Sequence, residues 1–565
     1  VTVPHDRPDV VLTRHFFTSL FELGFLSDDG AESLKKALLG ALAVALALGL
    51  LLTRVFMKKY GALDGTPADD YVWAIAADHA FLIAIPMWFV AGAIGLVGGS
   101  LFPDQTDYRI LMAEPLSRMT IFGAKLASLL LFAALFVAAT HAALAPLTGL
   151  TLLGAARLGS PVAMAAAFLV ASLSASLFAA LAVVALHGLL VLFAPRERLL
   201  ALSGAVRSLI IGLLLLSLPF VARLPGAGGA FASNTSWLLW TPPAWFVGLE
   251  RWLVGDASRA LLASIAVAAT VGVLAVSIGS YAVLYRRFDR IVLRSASPQR
   301  EGAGARSLAR WDGRTPVRRA IGRFVTLTIR RSVLHQGLIV GLLAAAGGFV
   351  VNGLLGASLG QEPASLRQQR AQIWALVHAP LTMMFFAVPA VRLALSIPLD
   401  LRSNWVFRMT EDVPGRAEGI AASVWKMIAL AVLVPLALLA PIQWWVLGSR
   451  ALGMFILEAL IGWLLVEWHM RDWRRIPFTC SYIPGKGFVP HTFVKCVGSY
   501  VVFTTATGIA LTLSAGHPPA ICALALLLAA VAATLTLRRF REAALGALLF
   551  EDELPNDVMP LRLND

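Results

Sequence analysis

The sequence predicts an all-α, polytopic helical membrane protein of about 12 transmembrane helices, arranged as two parallel six-helix pseudo-repeats. Three observations predict it. First, of 565 residues 58% are apolar and only 14% are charged, whereas a soluble chain carries about a quarter charged residues to wet its surface. Second, the apolar stretches run to about 15–20 residues or more, a length for spanning helices and not for barrel strands, which need about 10. Third, a strongly basic segment divides the chain, and the half after it repeats the pattern of the half before it.

Residues 1–32 form a cytoplasmic amphipathic segment. Phe17, Leu20, Phe21 and Phe25 fall at i, i+3, i+4 and i+8 beside Arg14 and His15, a narrow stripe suited to the membrane interface. Asp29 and Glu32 read as a capping box that opens the first span. No apolar signal core precedes residue 37, so this end is expected to stay in the cytoplasm uncleaved. The first half, residues 33–295, offers spans at 37–54, 79–101, 124–152, 161–194, 203–222 and 260–285. A basic cytoplasmic linker and amphipathic helix, residues 296–335, come next. Across 286–335 there are thirteen arginines against three acids. The second half, residues 336–537, offers spans at 336–358, 371–397, 424–447, 451–467, 493–515 and 519–537, and residues 538–565 form a cytoplasmic tail.

Charge fixes the orientation. With the N-terminus inside, the inner segments hold 37 Lys and Arg and the outer ones 10, the bias expected of a multi-pass chain with both termini cytoplasmic. The net charge of +14 is thereby spent on cytoplasmic loops, and no nucleic-acid partner is implied. Cys480, Cys496 and Cys522 have neither metal-ligand spacing nor an even count for a disulfide framework. No metal site is predicted.

The repeat is clearest after the second span of each half. Residues 101–125 read LFPDQTDYRILMAEPLSRMTIFGAK and residues 398–426 read PLDLRSNWVFRMTEDVPGRAEGIAASVWK. Each runs acid, short amphipathic turn with an aromatic, acid, Pro, Arg, then a Lys opening the next span. Equivalent segments lie on one side of the membrane, so the repeat axis is along the membrane normal. In the first loop Tyr108 and Leu111 share a helical face, Asp107 and Glu114 another, and Pro115 breaks the helix. In the second, Trp405 and Met409 share a face flanked by Glu411 and Asp412, and Pro414 breaks it. A short helix of this kind can dock into a partner's groove or lie on lipid. Its presence at matched positions of both halves favours docking.

Here the chain resembles the transmembrane permease subunit of ABC-2 type (type V exporter) ABC transporters, on the pattern of apolar span, SLFPDQTDYRILMAEPLSRMTIFGAKL, apolar span. The resemblance implies that the loop is a coupling helix contacting a cytosolic ABC ATPase subunit, in two copies for two loops, and that the N-terminal amphipathic segment is a connecting helix. It also implies that SWLLWTPPAWFVGLERWLVG, residues 236–255, is an outer segment dipping back into the membrane. The second half departs from the pattern, with almost no outer segment near Gly516–Pro519. The family's six-span subunit would occur here twice in one chain, in a bacterial inner (plasma) membrane.

No GxxxxGK[ST] occurs: Gly485–Lys486 is followed by Gly and lacks the upstream glycine. ATP and Mg would therefore be bound by the separate ATPase, and this chain would hold no cofactor and no catalytic residue. Two other functions stay open. An ion-gradient-driven secondary transporter needs ionisable groups within its spans. Glu458, within MFILEALIGWLL, is the candidate intramembrane polar site, where an ionised carboxylate costs roughly 2–3 kcal/mol. His141, His187 and His378 also lie in or near spans. A lipid-modifying enzyme needs a polar cluster, and the best is Asp69, Asp70, Asp78 and His79 beside Tyr71 and Trp73, expected on the outer side around a helix start. The basic, aromatic stretch 469–488 and Trp237, Trp240, Trp245 and Trp252 read as membrane-interface anchors. The Ala/Leu/Val-rich span faces suit a lipid or other hydrophobic substrate and equally suit helix packing.

Overall fold

The computed structural model describes residues 8–20, 49, 52–63, 67–97, 114, 116–155, 160–193, 199–292, 315–356, 365–398, 404–411, 415–479, 489–514 and 517–550. Among them helix predominates and no strand occurs. Among the described residues nine segments are long and apolar enough to cross a membrane: 70–95, 119–152, 161–190, 206–226, 257–283, 335–356, 368–396, 416–470 and 518–545. The chain is a multi-pass helical membrane protein. Its contacts divide into two compact units, residues 1–299 and 300–565.

Unit 1 contains α1 (Pro8–Ser19), α2 (52–62), α3 (Ala68–Val97), α4 (Arg118–Ala155), α5 (Pro161–Phe193) and α6 (Leu199–Val221). A short α7 (Gly228–Ala232), α8 (Pro242–Leu253) and α9 (Ala260–Val292) complete it. Its centre is α3, which packs against α4, α5, α6 and α8. Ala76, Ala77, Ala80 and Ala84 on α3 are buried; such small side chains let helices approach closely where no water drives them together. The helix starts eleven residues before the predicted span 79–101, so Asp70, Asp78 and His79 lie inside it and not in an outer loop. Hydropathy alone could not extend the span over those polar groups, because their partners come from other elements. On α1 the buried side chains are Leu12 and Phe16, which meet Ile121 and Ala124 of α4. Of the predicted stripe, Leu20 is buried and Phe17 packs against the core of unit 1, while Phe21 and Phe25 lie outside the described residues.

Unit 2 contains α10 (Pro316–Arg331), α11 (Val333–Gly356), α12 (Leu366–Ser396), α13 (Asn404–Met409) and α14 (Arg416–Ile428). A π-helical turn (Ala429–Leu433) leads into α15 (Val434–Leu447), then α16 (Ala451–Met470), α17 (Val489–Ser514) and α18 (Pro518–Leu545). The π turn ends two residues before Pro435, whose missing N–H interrupts the hydrogen-bond ladder there. Segment 416–470 is a hairpin, turned at Gly448 with φ +59°, a left-handed conformation that glycine adopts freely. On α10, Thr315 accepts from the Arg318 amide at 3.4 Å and Pro316 follows it, a cap and first-turn pair that starts the helix cleanly.

The units repeat one packing scheme. The pairs α3–α5, α5–α9, α1–α4 and α3–α6 of unit 1 have counterparts in α12–α16, α16–α18, α10–α14 and α12–α17 of unit 2. The predicted span 37–54 lies almost wholly outside the described residues. The span predicted at 493–515 is α17, whose described apolar run, 498–511, is short for a crossing.

Candidate functional site

Two sets of side chains carry chemistry: a short helix presenting apolar groups, and polar groups buried between spans.

The short helix is α13. Asn404 is buried and its amide donates to the Thr479 carbonyl at 2.6 Å. The Phe407 ring meets Phe324 of α10 at 5.3 Å between centroids. Phe324 in turn meets Phe478 at 5.7 Å, and Phe478 meets His335 at 4.9 Å. Phe478 is buried with φ +66°, a left-handed conformation costing about 1–2 kcal/mol for a non-glycine residue. Its amide bonds to the Leu395 carbonyl at 2.8 Å, at the end of α12. Gly419 of α14 lets α10 approach: a Cβ there would lie 2.6 Å from Ile321 Cδ1. This platform holds one side of α13 and leaves the other free, with Trp405 62% and Met409 80% exposed.

The predicted orienting acids fare differently. Glu411 is half-buried and accepts from Arg416 Nε at 2.5 Å, while Arg416 also reaches the Gly546 carbonyl at 3.2 Å. Glu411 Oε1 is thus bonded within the chain. Glu114 is exposed. Asp107, Tyr108, Leu111, Pro115, Asp412 and Pro414 lie outside the described residues.

The buried polar groups of unit 1 form two adjoining knots on α3. Asp78 accepts from Lys59 Nζ at 2.6 Å and from the Tyr60 hydroxyl at 2.7 Å, and Lys59 also donates to the Pro225 carbonyl at 2.9 Å. Beside it His79 meets Glu250 of α8 through Nδ1 at 2.7 Å and Thr151 of α4 through Nε2 at 3.1 Å. The His79 ring also packs on Phe168 of α5, 4.7 Å between centroids. The predicted cluster thus separates: Asp78 and His79 are buried and partnered, and Asp70 is exposed. Pairing of this kind joins α2, α3, α4 and α8. Glu250 Oε2 has no partner.

In unit 2, Glu467 of α16 accepts from Arg539 of α18 at 2.7 and 3.2 Å, from Thr536 at 2.8 Å and from Trp463 at 3.3 Å. Glu458 is different. It is 0% exposed, as is Gln443 of α15, and its one bond is from Gln443 Nε2 to Oε1 at 2.9 Å. Arg450, eight residues away, makes no bond to it. Gln443 Nε2 also donates to the Leu376 carbonyl of α12 at 3.1 Å. That carbonyl is available because Pro380, four residues on, has no N–H to give it. Gly462, one turn beyond Glu458, permits the close packing: a Cβ there would lie 2.7 Å from Val432 and 2.8 Å from Met384.

Comparison with family models, curated proteins and solved structures returns no match. Among the described residues no group of three or more His, Cys, Asp or Glu could hold a metal ion.

Proposed function

We propose that the chain is the membrane permease subunit of an ATP-driven ABC exporter of the ABC-2 type, moving a lipid or other hydrophobic substrate with the help of a separate cytosolic ATPase. In this reading its two halves carry six spans each, with both termini and the arginine-rich linker on the cytoplasmic side of a bacterial inner membrane. ATP and Mg belong to the partner, which binds in two copies.

The observation that carries the reading is α13. A docking helix must be rigid and must offer an apolar face, and here Asn404 and Phe407 fasten one face while Trp405, Val406 and Met409 stand out on the other. A buried aromatic anchor at an interface is worth about 2 kcal/mol or more, whereas a rim charge mainly tunes association rate.

Co-purification with a P-loop ATPase tests the assignment. Trp405→Ala weakens that association by at least about tenfold. Glu411→Ala changes it less, because Arg416 already occupies the carboxylate. Trp405→Ala and Tyr108→Ala that both leave partner binding and transport intact would make these loops lipid-facing helices and remove the main support for the reading.

A secondary transporter remains the second reading. What favours it is the set of ionisable groups in the spans, Asp78, His79 and Glu458. Transport in proteoliposomes with an ion gradient and no nucleotide separates the two.

A further inference from the structure

Gln443 has two amide N–H groups and the structure accounts for both: one goes to the Leu376 carbonyl and one to Glu458 Oε1. The amide cannot be flipped, since its oxygen would then face the Leu376 carbonyl, acceptor against acceptor. Two buried acceptors are left over, Gln443 Oε1 and Glu458 Oε2, and they belong to the same pair of side chains. An unsatisfied buried acceptor costs about 1–3 kcal/mol, and more if it is charged. A single proton removes both deficits. Placed on Glu458 Oε2, it turns one of the two unpartnered acceptors into a donor, and Gln443 Oε1, on the side chain already bonded to Glu458, is the unpartnered acceptor left for it.

We propose that Glu458 is a proton-binding site, a neutral carboxylic acid clasped by Gln443 that exchanges its proton only when the junction of α12, α15 and α16 opens. The inference stands independently of the ATP-driven reading. In the step itself the Glu458 O–H bond breaks, its electron pair stays on the carboxylate, and the proton passes to water admitted by the opening. Among the described titratable groups on the surrounding elements none is bonded to Glu458, though the buried Nε2 of His378 has no partner. On α12, His378 donates through Nδ1 to the Trp374 carbonyl at 2.9 Å and stacks on that ring at 4.0 Å. On α16, Glu467 is taken by Arg539, and Arg450 stands exposed at the turn. A metal cation is disfavoured by the donor count, because two free oxygens fall well short of the six or so that a hard cation takes.

Infrared difference spectroscopy of the purified, full-length protein tests this. Subtracting the Glu458→Gln spectrum from the wild type at neutral pH isolates one carbonyl stretch of a protonated carboxyl group. After transfer to D2O that band shifts to its deuterated frequency slowly, at the rate of the opening. In Gln443→Leu the band survives but moves to higher frequency, since the acid carbonyl has lost its amide donor; a merely structural role for Gln443 would not move it. Sodium chloride in place of choline chloride leaves the band unchanged. Three results would overturn the proposal: no protonated-carboxyl band lost in Glu458→Gln, exchange complete on mixing, or loss of the band on adding sodium. If Glu458→Gln does not fold, the band position in Gln443→Leu and its exchange rate in the wild type decide the matter.

Discussion

In each unit three helices meet around a buried carboxylate, and the residues at the two junctions occupy matching places along their helices. In unit 1 they are His79, the twelfth residue of α3, Thr151, the fifth from the end of α4, and Phe168, the eighth of α5. In unit 2 they are Leu376, the eleventh residue of α12, Gln443, the fifth from the end of α15, and Glu458, the eighth of α16. The position is kept while the chemistry is redistributed. Unit 1 takes its carboxylate, Glu250, from α8 and sets it against a histidine. Unit 2 has three residues between α17 and α18 and no helix there to lend one, so the carboxylate sits on the spanning helix itself, where unit 1 has Phe168. Unit 1 thus gives its acid a histidine partner within the protein, whereas unit 2 offers its acid only an amide.

The largest expected effect comes from an ion pair that only unit 2 has. Glu467 and Arg539 are the seventeenth residue of α16 and the twenty-second of α18; unit 1 has Leu177 and Tyr281 in those places. Glu467→Ala leaves a buried guanidinium that cannot shed its charge, and costs about 3–5 kcal/mol. The unfolding midpoint of the detergent-purified protein reads it. A drop no larger than that of Tyr281→Ala would mean that the two halves are held equally and that the ion pair contributes little.

The junction acids come next. Glu250→Ala strands the His79 ring nitrogen in an apolar site, yet histidine can remain neutral, so the expected loss is about 1–3 kcal/mol. Glu458→Gln replaces a neutral acid by an amide that can also donate to Gln443 Oε1, and the loss stays below about 1 kcal/mol. An equal and large loss in both would place an ionised carboxylate in each half and erase the contrast.

Much of this is legible in the sequence because apolar length and arginine placement report directly on spans and on their grouping. The short helix of the second loop is legible from Trp405 and Met409, which lie at helical spacing, while its expected counterpart at 101–113 lies outside the described residues. What local pattern cannot give is partnership over long distances. His79 and Glu250 are 171 residues apart, and Glu467 and Arg539 are 72 apart, so neither pair leaves a periodic trace. Glu411 looks free in the sequence because nothing in the motif shows that Arg416, beyond Pro414, turns back to it. Gln443 leaves a faint signal, since a proline within a span, such as Pro380, frees the carbonyl four residues earlier and some donor must answer it.

The smallest effect probes the segment between α6 and α9 of unit 1, where unit 2 has only three residues between α17 and α18. Asp256, between α8 and α9, accepts from the Ser258 hydroxyl at 2.6 Å and the Ser258 amide at 3.1 Å, and pairs with Arg251 at 3.4 Å. Partial burial pushes its carboxyl up, but the Ser258 bonds and Arg251 outweigh that and hold it below the usual carboxylate range. A carboxyl depressed in the folded state contributes stability above its unfolded value and loses it as the pH falls through the folded one. The contribution is therefore present at neutral pH and fades only below about pH 4. Asp256→Asn removes it, lowering the unfolding midpoint slightly at pH 7 and leaving it unchanged at pH 3, where wild type and variant converge. Because the carboxylate is partly solvated, the difference at pH 7 is a small fraction of that for Glu250→Ala. Convergence at acid pH ties this acid sensitivity to the α8–α9 connection of unit 1, whereas a gap that persists at pH 3 would mean that Asp256 acts through the geometry of its Ser258 turn and not through its charge.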